Sequence, residues 1–371
     1  MAVQQEEATG TQDDVFAFEG IDYVELYVGN AYQAAHFYRT IFGFTPIGYA
    51  GVETGVTDRT SFILQQGDIR LIVTSSLRPD HPAATHVMNH GDSVKDIAFS
   101  VRDARRAFEV AVARGAQPVL EPTVFERNGR QVVKATIATF GETVHSFVQD
   151  GLAHGGSLPG FRPIRDPLPT TPTGLVMIDH VAVCLDQGTL EQWVSFYQRV
   201  LDFHTLHDQA VETEFSAMNS AAVESRSGGI KFPLMEPAPS KRVSQIEEFL
   251  GYHQGPGAQH LAVLTNDIVA LVRELRRRGV EFRATPGAYY DHLSERVGPI
   301  AAEVDALREQ HILVDRDDEG YLLQIFAKPM QGRPTLFCEL IQRAGAQGFG
   351  YGNIKALFES IEREQLLREQ Y

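Results

Sequence analysis

The chain repeats its own pattern, and this internal duplication constrains its fold more than any other feature of the sequence. Residues 20–44 (GIDYVELYVGN…HFYRTIFGF) correspond to residues 177–203 (MIDHVAVCLDQ…SFYQRVLDF). Residues 94–122 correspond in the same way to residues 258–286. A repeat of this length predicts copies of one supersecondary unit, stacked so that neighbouring copies bury a shared core.

The two copies differ at two strand positions that matter chemically. When the copies are aligned, His180 matches Tyr23 and His260 matches Asp96. Only the later copy therefore carries imidazoles, which are common metal ligands, at these positions. The asymmetry indicates that metal chemistry belongs to the second half, and that the first half serves structure and subunit contact.

The order of elements within each copy predicts the fold class. An alternating, β-branched strand (residues 22–28 and 179–185) leads into an amphipathic helix, and a second strand–helix pair follows over residues 96–114 and 260–278. We match TVHSFVQ with YLLQIFA as the closing strands of the two copies. The prediction is an α+β fold of two domains, each made of two βαβββ modules that form an open barrel with helices outside.

Composition shifts along the chain predict the domain limits. Residues 1–15 are polar and acidic and predict a disordered tail. Residues 151–174 are rich in Gly and Pro, which is typical of a linker. The first domain then spans residues 16–150, and the second spans residues 175–371 together with a C-terminal helix.

Bulk composition excludes several classes of partner. The 371 residues carry a formal net charge of −15, so nucleic-acid phosphates and anionic membranes would be repelled. Two cysteines cannot form a disulfide framework, which favours a reducing compartment. The N-terminus lacks the apolar core of a signal peptide, and no apolar run approaches the ~20 residues that span a bilayer. We therefore expect a cytoplasmic protein.

Three side chains form a candidate metal site. His180 and His260 lie on predicted strands, and Glu339 lies in PTLFCELIQR, where a carboxylate among apolar residues is costly to bury without a cation. Two imidazoles and one carboxylate can meet at one divalent ion and leave three coordination positions open, as in non-haem Fe(II) oxygenases. On pattern alone the alternative stays open, since a strand histidine is often a hydrogen-bonded core residue.

Two further segments have weaker signals. His86 and His90 are four residues apart in HVMNH, but the glutamate of the zinc-protease motif is missing, so we predict exposed or capping residues. In the C-terminal helix, Ile354 and Phe358 lie one turn apart on an apolar face. This helix either packs on the mouth of the barrel or acts as a lid whose apolar face lines a pocket.

The second half resembles a known family in several segments. IDHVAVCL, GAQHLAVLTNDI, GYLLQIFAKP, RPTLFCELIQR and GFGYGNIKALFESIE are similar to the 4-hydroxyphenylpyruvate dioxygenases and the related 4-hydroxymandelate synthases of the vicinal oxygen chelate superfamily. The resemblance implies Fe(II) held by His180, His260 and Glu339, with 4-hydroxyphenylpyruvate and O2 as substrates, in a homo-oligomer. It also implies a substrate pocket bordered by Ser220, Gln245, Gln259, Gln324, Phe326, Asn353 and Phe358.

Two departures within the resemblance favour the mandelate-forming branch. Ile354 stands where homogentisate-forming enzymes have Phe in a G-N-F-K motif, and Met235 stands where they have Asn in N-E-P. Such changes reshape a pocket, and a displacement of about 1 Å can change reactivity about a hundredfold. Pro233 resembles the homogentisate branch instead. We expect a 4-hydroxymandelate synthase that supplies an antibiotic precursor; the alternatives are a homogentisate-forming enzyme, an extradiol dioxygenase and a metal-free binding protein.

Overall fold

The computed structural model describes residues 15–127, 129–164, 169–212 and 217–368. Residues 1–14 of the predicted disordered tail lie outside these ranges. Within the described residues, helices and strands alternate in two successive sets, one in each half of the chain. The predicted α+β class is confirmed.

The first half folds into one curled sheet with helices on its outer side. Its strands are β1 (Gly20–Tyr27), β2 (Thr45–Ala50), β3 (Arg59–Gln66), β4 (Ile69–Ser76), β5 (Ser93–Ser100), β6 (Pro118–Arg127), β7 (Arg130–Ala138), β8 (Val144–Gln149) and β9 (Arg162–Pro163). Its helices are α1 (Ala31–Thr40), α2 (Pro82–His90) and α3 (Ala104–Ala113). The strand order β6-β7-β8-β5-β1-β4-β3-β2-β9 joins two βαβββ modules through the antiparallel pair β1–β5.

The second half repeats this plan for the first eight strands and, within the residues described, has no counterpart of β9. Its strands are β10 (Leu175–Cys184), β11 (His204–Glu212), β12 (Ala217–Glu224), β13 (Lys231–Pro237), β14 (Gly257–Thr265), β15 (Leu313–Arg316), β16 (Tyr321–Phe326) and β17 (Phe337–Ala344). Its helices are α4 (Leu190–Leu201), α5 (Gln245–His253), α6 (Ile268–Arg277), α7 (Ala288–Asp291), α8 (Leu293–Val297), α9 (Val304–Gln310) and α10 (Tyr351–Arg368). The order β11-β12-β13-β10-β14-β17-β16-β15 makes β10, β14 and β17 the counterparts of β1, β5 and β8.

This topology corrects one prediction about the repeat. TVHSFVQ contains β8, whereas YLLQIFA contains β16, and β16 is the counterpart of β7. The true counterpart of β8 is β17, which pairs in parallel with β14 as β8 pairs with β5. Both segments are short apolar strands that follow a glycine, so composition alone did not distinguish them.

Local signals explain where the main helices begin. Asp103 and Asp267 stand before α3 and α6, and each accepts a hydrogen bond from the backbone N–H three residues ahead. Ser244 and Glu247 form a reciprocal capping box at the start of α5. Helix α6 then buries one apolar stripe against its sheet, comprising Ile268, Leu271, Val272 and Leu275.

The predicted linker, residues 151–174, is partly built into the first half. Leu152–His154 forms a short 3-10 turn whose first backbone N–H groups donate to Asp22, and β9 pairs with β2. Further along, the Thr173 backbone N–H donates to Gln66 at 2.7 Å. The limits of the two domains stay a prediction.

Helix α10 closes the open side of the second barrel. It lies against β15, β11 and α5, and it buries Asn353, Leu357, Phe358 and Ile361. Neither this helix nor any other within the described ranges is long and apolar enough to cross a membrane.

Candidate metal centre

Three adjacent strands bring the predicted ligands to one point. His180 lies on β10, His260 on β14 and Glu339 on β17, and β14 runs between the other two strands. His180 and Glu339 both pair with Ala262, which is two residues beyond His260 and so shares its face. Residues about 80 positions apart in the chain therefore become neighbours through strand register.

The ligand atoms meet inside the barrel. His180 Nε2 lies 3.4 Å and His260 Nε2 lies 3.2 Å from the same Glu339 oxygen, Oε2. The three ligand atoms lie within 4.8 Å of one another, and all three residues are buried. A buried carboxylate between two imidazoles is the donor set that suits a divalent transition metal.

A charged pair fixes the orientation of His180. Its Nδ1 lies 2.8 Å from Asp179 Oδ1, and Arg343 clamps the same carboxylate through two bonds of 2.7 Å. Arg343 also donates to the backbone carbonyls of Ala346 and Gly348. Because a carboxylate accepts only, Nδ1 of His180 carries a proton, and in the neutral ring that binds a metal the lone pair on Nε2 faces the centre of the site.

An amide performs the corresponding task for His260. Its Nδ1 lies 3.1 Å from Gln259 Oε1, so this ring also presents an unprotonated Nε2 to the site. The ring stacks on Phe337 with centroids 4.9 Å apart and meets the edge of Phe326 at 6.1 Å. Gln259 was predicted to border the substrate; the structure places its side chain against His260.

The surroundings shift the three pKa values in different directions. Burial raises the pKa of Glu339, but the charge of His180 and hydrogen bonds with both imidazoles outweigh it and lower the pKa to about 2. Burial lowers the pKa of His180, but Glu339 and Asp179 together raise it by more than burial lowers it. The pKa of His180 is therefore higher than that of a free histidine. Burial lowers the pKa of His260. Gln259, which holds the other side of this ring, is neutral and has no charge to oppose that effect. Glu339 is therefore ionised and ready to bind a cation.

Two buried amides connect Glu339 to helix α10. Gln324 donates to Glu339 Oε1 at 2.8 Å and to the Phe349 carbonyl at 3.0 Å. Asn353, in the first turn of α10, donates to Gln324 Oε1 at 2.8 Å. Gly350 has a φ of 73°, and a Cβ there would collide with the Gln324 amide, so this turn needs glycine.

An apolar cluster lies beside the ligands. Met235 and Phe358 are buried together, and Ile354 packs against them half-buried. Ser220 on β12 pairs directly with Met235 on β13, and Phe326 on β16 pairs with Glu339. The two positions predicted to select the product thus lie in one cluster, next to the predicted lid residue Phe358.

One residue predicted to border the substrate has a buried polar atom without a partner in the part of the chain that the structure describes. The Oε1 atom of Gln245, at the start of α5, is buried and has no hydrogen-bond partner among the described residues. Such an atom costs about 1–3 kcal/mol unless a ligand or water satisfies it. Its assignment to the substrate pocket, like those of the other predicted pocket residues, stays a prediction.

Two residues that support the site, Asp179 and Arg343, were not among those predicted. Asp179 directly precedes His180, and this adjacency was an available signal; nothing in the sequence pointed to Arg343, which is 164 residues away from Asp179. His86 and His90 were predicted to be exposed or to cap a helix, and this was wrong. Both are buried on α2, whose N-cap is His81, because this face of the helix packs against other segments.

Comparison with known proteins identifies the family. Residues 13–151 match the family model described as "Hydroxyphenylpyruvate dioxygenase, HPPD, N-terminal". Residues 177–325 match the model described as "Glyoxalase/Bleomycin resistance protein/Dioxygenase superfamily". The fold is also similar to that of a Mn(II)-bound glyoxalase from Novosphingobium aromaticivorans, with a TM-score of 0.51 at 14% identity over 88% of this chain and 83% of that one.

Individual relatives cover nearly the whole chain. The chain is 42% identical to 4-hydroxyphenylpyruvate dioxygenase of Yarrowia lipolytica, over 95% of this chain and 93% of that protein, and 42% identical to the enzyme of the same name from Dictyostelium discoideum, over 94% and 99%. A mutant of 4-hydroxymandelate synthase from Streptomyces coelicolor superimposes with a TM-score of 0.85 at 43% identity, over 93% and 98%. The expected closer kinship to the synthases is supported only in part. The chain belongs to the 4-hydroxyphenylpyruvate dioxygenase family within the glyoxalase/bleomycin resistance protein/dioxygenase superfamily, and it is a dioxygenase.

Proposed function

We propose that the protein is an Fe(II)-dependent dioxygenase that converts 4-hydroxyphenylpyruvate and O2 to 4-hydroxymandelate and CO2. The observation that carries this proposal is the buried set of His180, His260 and Glu339, whose ligand atoms converge with both Nε2 lone pairs facing inward. The set fits Fe(II) because two imidazoles and one carboxylate leave three coordination positions for small molecules. Cytoplasmic location and a homo-oligomeric state stay predictions.

Bound Fe(II) would supply the O2 chemistry, namely the oxidative decarboxylation of the 2-oxo acid and the hydroxylation that follows. The side chains of this chain supply position. Asp179 and Arg343 hold the His180 ring, and Gln324 holds one Glu339 oxygen, so the ligand set is fixed before substrate arrives. Helix α10 covers the barrel and buries Phe358 in the same cluster as Ala182, the strand partner of His260, and this apolar cover excludes water from the reacting groups.

The aromatic end of the substrate fits the apolar cluster around Met235 and Phe358. Gln245 Oε1 is buried and lacks a partner among the described residues, so it is available to accept a hydrogen bond from the phenolic hydroxyl. Loss of that bond would leave the amide oxygen desolvated. We therefore expect phenylpyruvate, which lacks the hydroxyl, to react with a lower kcat/KM.

The choice of product rests on Met235 and Ile354. Both side chains contact one buried cluster, and both are aliphatic where homogentisate-forming enzymes carry an amide and an aromatic ring. A different cluster shape turns the aryl group and brings the benzylic carbon, in place of the ring, to the oxidant. A second candidate function, formation of homogentisate, is favoured by relatives of 40–42% identity named 4-hydroxyphenylpyruvate dioxygenase.

Product analysis tests the proposal directly. The protein is incubated with 4-hydroxyphenylpyruvate, Fe(II) and O2, and the products are separated by chromatography while O2 uptake and CO2 release are followed. We expect 4-hydroxymandelate together with equimolar CO2. Homogentisate as the sole product would contradict the proposed product but would agree with dioxygenase activity. No O2 uptake with any 2-oxo acid would contradict both the product and the dioxygenase activity.

A variant series examines the two branch positions. Ile354→Phe and Met235→Asn are expected to raise the fraction of ring-hydroxylated product, because they restore the ring and the amide of the other branch. Lys355→Phe, at an exposed position of the same helix, is the matched control and should leave the product ratio unchanged. An unchanged product ratio in the double variant Ile354→Phe with Met235→Asn would show that neither residue selects the product.

A further inference from the structure

A second group of metal-ligating side chains lies away from the candidate centre, where the two halves of the chain meet. His86 and His90 lie one turn apart on α2 and face Glu142, in the turn between β7 and β8. His86 Nδ1 is 3.1 Å and His90 Nε2 is 3.2 Å from the same oxygen, Glu142 Oε2. The two imidazoles are buried, while the side chain of Glu142 is 50% exposed.

Hydrogen bonds on the far side of each ring decide which nitrogens carry protons. His90 Nδ1 lies 2.6 Å from the backbone carbonyl of His253, which accepts only, so this nitrogen donates and Nε2 is unprotonated in the neutral ring. His86 Nε2 lies 2.8 Å from Ser93 Oγ, and that hydroxyl donates its own proton to the Gly91 carbonyl. His86 Nε2 is then also a donor, and its Nδ1 is unprotonated.

The result is an arrangement in which two imidazole lone pairs face one carboxylate oxygen. His90 Nε2 is buried and makes no hydrogen bond within the described part of the chain, although Glu142 Oε2 lies 3.2 Å away. Two imidazole lone pairs and a carboxylate repel one another unless a positive charge is placed among them. The protons on His90 Nδ1 and His86 Nε2 are held by hydrogen bonds on the far sides of the rings, so the neutral imidazoles place no positive charge among these atoms.

We propose that His86, His90 and Glu142 bind a divalent transition-metal ion, and that Zn(II) is the ion that suits them best. Tetrahedral Zn(II) with bonds of about 2.0–2.1 Å places its ligand atoms about 3.3 Å apart, close to the two N···O distances in this cluster. Histidines four residues apart on a helix are a common zinc-binding pair, and a carboxylate completes a two-histidine, one-glutamate set.

The surroundings indicate a structural role for this ion. The HVMNH segment lacks the glutamate that acts as a base in zinc hydrolases. The His253 ring of α5 stacks on His90 with centroids 4.6 Å apart, and Arg333 donates to the carbonyls of Asn89 on α2 and Tyr252 on α5. An ion bound here would hold α2 and the β7–β8 turn together beside α5, at the contact between the two halves.

Lys95 lies next to this cluster. The Lys95 ammonium donates to the backbone carbonyl of Glu142, and this leaves the carboxylate free for a metal.

Metal stoichiometry of the full-length protein tests the proposal. Metal-free protein is titrated with Zn(II), and bound metal is counted after gel filtration. We expect two equivalents in the natural chain, one in Glu142→Gln, one in Glu339→Gln and none in the double variant. Glu109→Gln, at an exposed position of α3, removes the same charge and should still bind two. One equivalent in the natural chain, or two in Glu142→Gln, would overturn the proposal.

Thermal unfolding separates a metal site from a simple hydrogen-bonded cluster. A ligand that binds only the folded state raises its stability as the ligand concentration rises. In the Glu339→Gln background, Zn(II) should raise the unfolding midpoint by several degrees, and adding Glu142→Gln or His90→Gln should abolish that shift. If these variants lower the midpoint equally with and without Zn(II), the cluster is only a hydrogen-bonded contact and the proposal fails.

Discussion

The two halves of the chain place different groups at the equivalent point of their two barrels. Strand register matches their central residues one to one, because Ala98 and Ala262 occupy equivalent positions on β5 and β14. The matched pairs are Tyr23 with His180, Asp96 with His260, Ser146 with Glu339, and Lys134 with Gln324. The second half has a set of metal ligands at this point, and the first half has an ammonium group.

The ammonium of Lys134 occupies the centre of the first barrel. It donates to Tyr23 Oη at 2.7 Å and to Asp96 Oδ2 at 3.0 Å. Tyr23 and Ser146 also donate to Asp96 Oδ2, at 3.0 and 2.7 Å. Burial lowers the pKa of Lys134, but Asp96 and Glu25 together outweigh burial and raise it, so the lysine stays charged.

The comparison shows what the shared barrel requires. Each half buries a carboxylate on its central strands, and a buried carboxylate needs a positive partner. In the first half that partner is covalently attached and cannot exchange. In the second half Gln324 is shorter and neutral, so it holds Glu339 without neutralising it and leaves room for an ion. The change from lysine to an amide is one of the four matched differences between the two centres, and it is the one that removes the built-in cation.

The largest expected effect comes from removing the carboxylate of the second centre. Glu339→Gln keeps the shape of the side chain but loses the charge that binds the ion, and we expect iron content and turnover to fall about 1000-fold or more. Ser146→Ala, the matched change in the first half, should leave both unchanged. Iron analysis and O2 uptake measure the outcome, and a loss of turnover in Ser146→Ala would break the division of roles.

A second change should affect stability and spare catalysis. Lys134→Met leaves Asp96 buried without its cation, and breaking a buried pair costs about 3–5 kcal/mol. The side chain of Lys134 is only 19% exposed, so solvent screens little of this loss. We expect the urea midpoint to fall while kcat of the folded enzyme is unchanged.

The compensating variant completes this test. Asp96→Asn combined with Lys134→Met removes both charges together, and it should recover part of the lost stability because no unpaired charge remains. If the double variant is as unstable as the sum of the single variants, Lys134 contributes through packing and not through its charge.

The reverse substitution places a lysine in the second half, at the position that corresponds to Lys134. Gln324→Lys puts a positive charge beside Glu339, where it repels a divalent cation, and we expect iron affinity to fall by about 100-fold or more. Gln324→Leu removes the same hydrogen bonds without adding charge and serves as the control. Equal iron affinity in the two variants, measured by competition with a chelator, would show that the amide contacts and not the charge decide the site.

Much of the second centre was predictable from its residues, whereas the first was not. A glutamate among apolar strand residues indicates that a cation binds beside it. His180 and His260, which have no histidine counterparts in the earlier copy, indicate where that cation site lies. Lys134 gave no such signal, because its link to Tyr23 spans 111 residues and depends on β7 lying beside β8. Our pairing of YLLQIFA with TVHSFVQ also hid the correspondence between Lys134 and Gln324.

The contacts between the halves could not be predicted from the sequence either, because they too join residues that are far apart in the chain. A helix pattern shows that His86 and His90 share a face, but it does not show that this face meets Glu142 and α5. The order of strands, by contrast, follows from duplication, since each copy must repeat the pairing of the other. Local patterns therefore predicted the elements and the triad, and only register revealed which side chains support them.

A smaller effect is expected at the residue behind His180. Asp179 corresponds to Asp22 of the first half, where the carboxylate accepts the backbone N–H groups of Leu152 and Ala153 instead of an imidazole. Asp179→Asn weakens the hold on Nδ1 of His180, and such changes typically cost 10–100-fold in metal affinity. Asp22→Asn should leave iron affinity unchanged, and a decrease there would link the two halves through more than shared architecture.

The smallest effect concerns acid stability and the residue beside Ser146. His145 corresponds to Cys338, and it is buried between the Ile97 carbonyl and the Tyr197 hydroxyl of the second half. Burial lowers its pKa to about 4, so the unfolded chain binds this proton more readily and stability is lost as pH falls below about 6.5. We expect a loss of about 1 kcal/mol between about pH 7 and about pH 5.5.

A neutral variant isolates this contribution from those of the other histidines. His145→Gln keeps groups that can hydrogen-bond to both partners but does not titrate, so the difference in unfolding free energy between it and the natural chain should shrink as pH falls. His36→Gln, at an exposed position, should run parallel to the natural chain at every pH. A constant difference for His145→Gln would mean that His145 binds protons equally in the folded and unfolded chain over this range, which contradicts the lowered pKa. The contact that His145 makes between the halves would then not depend on pH.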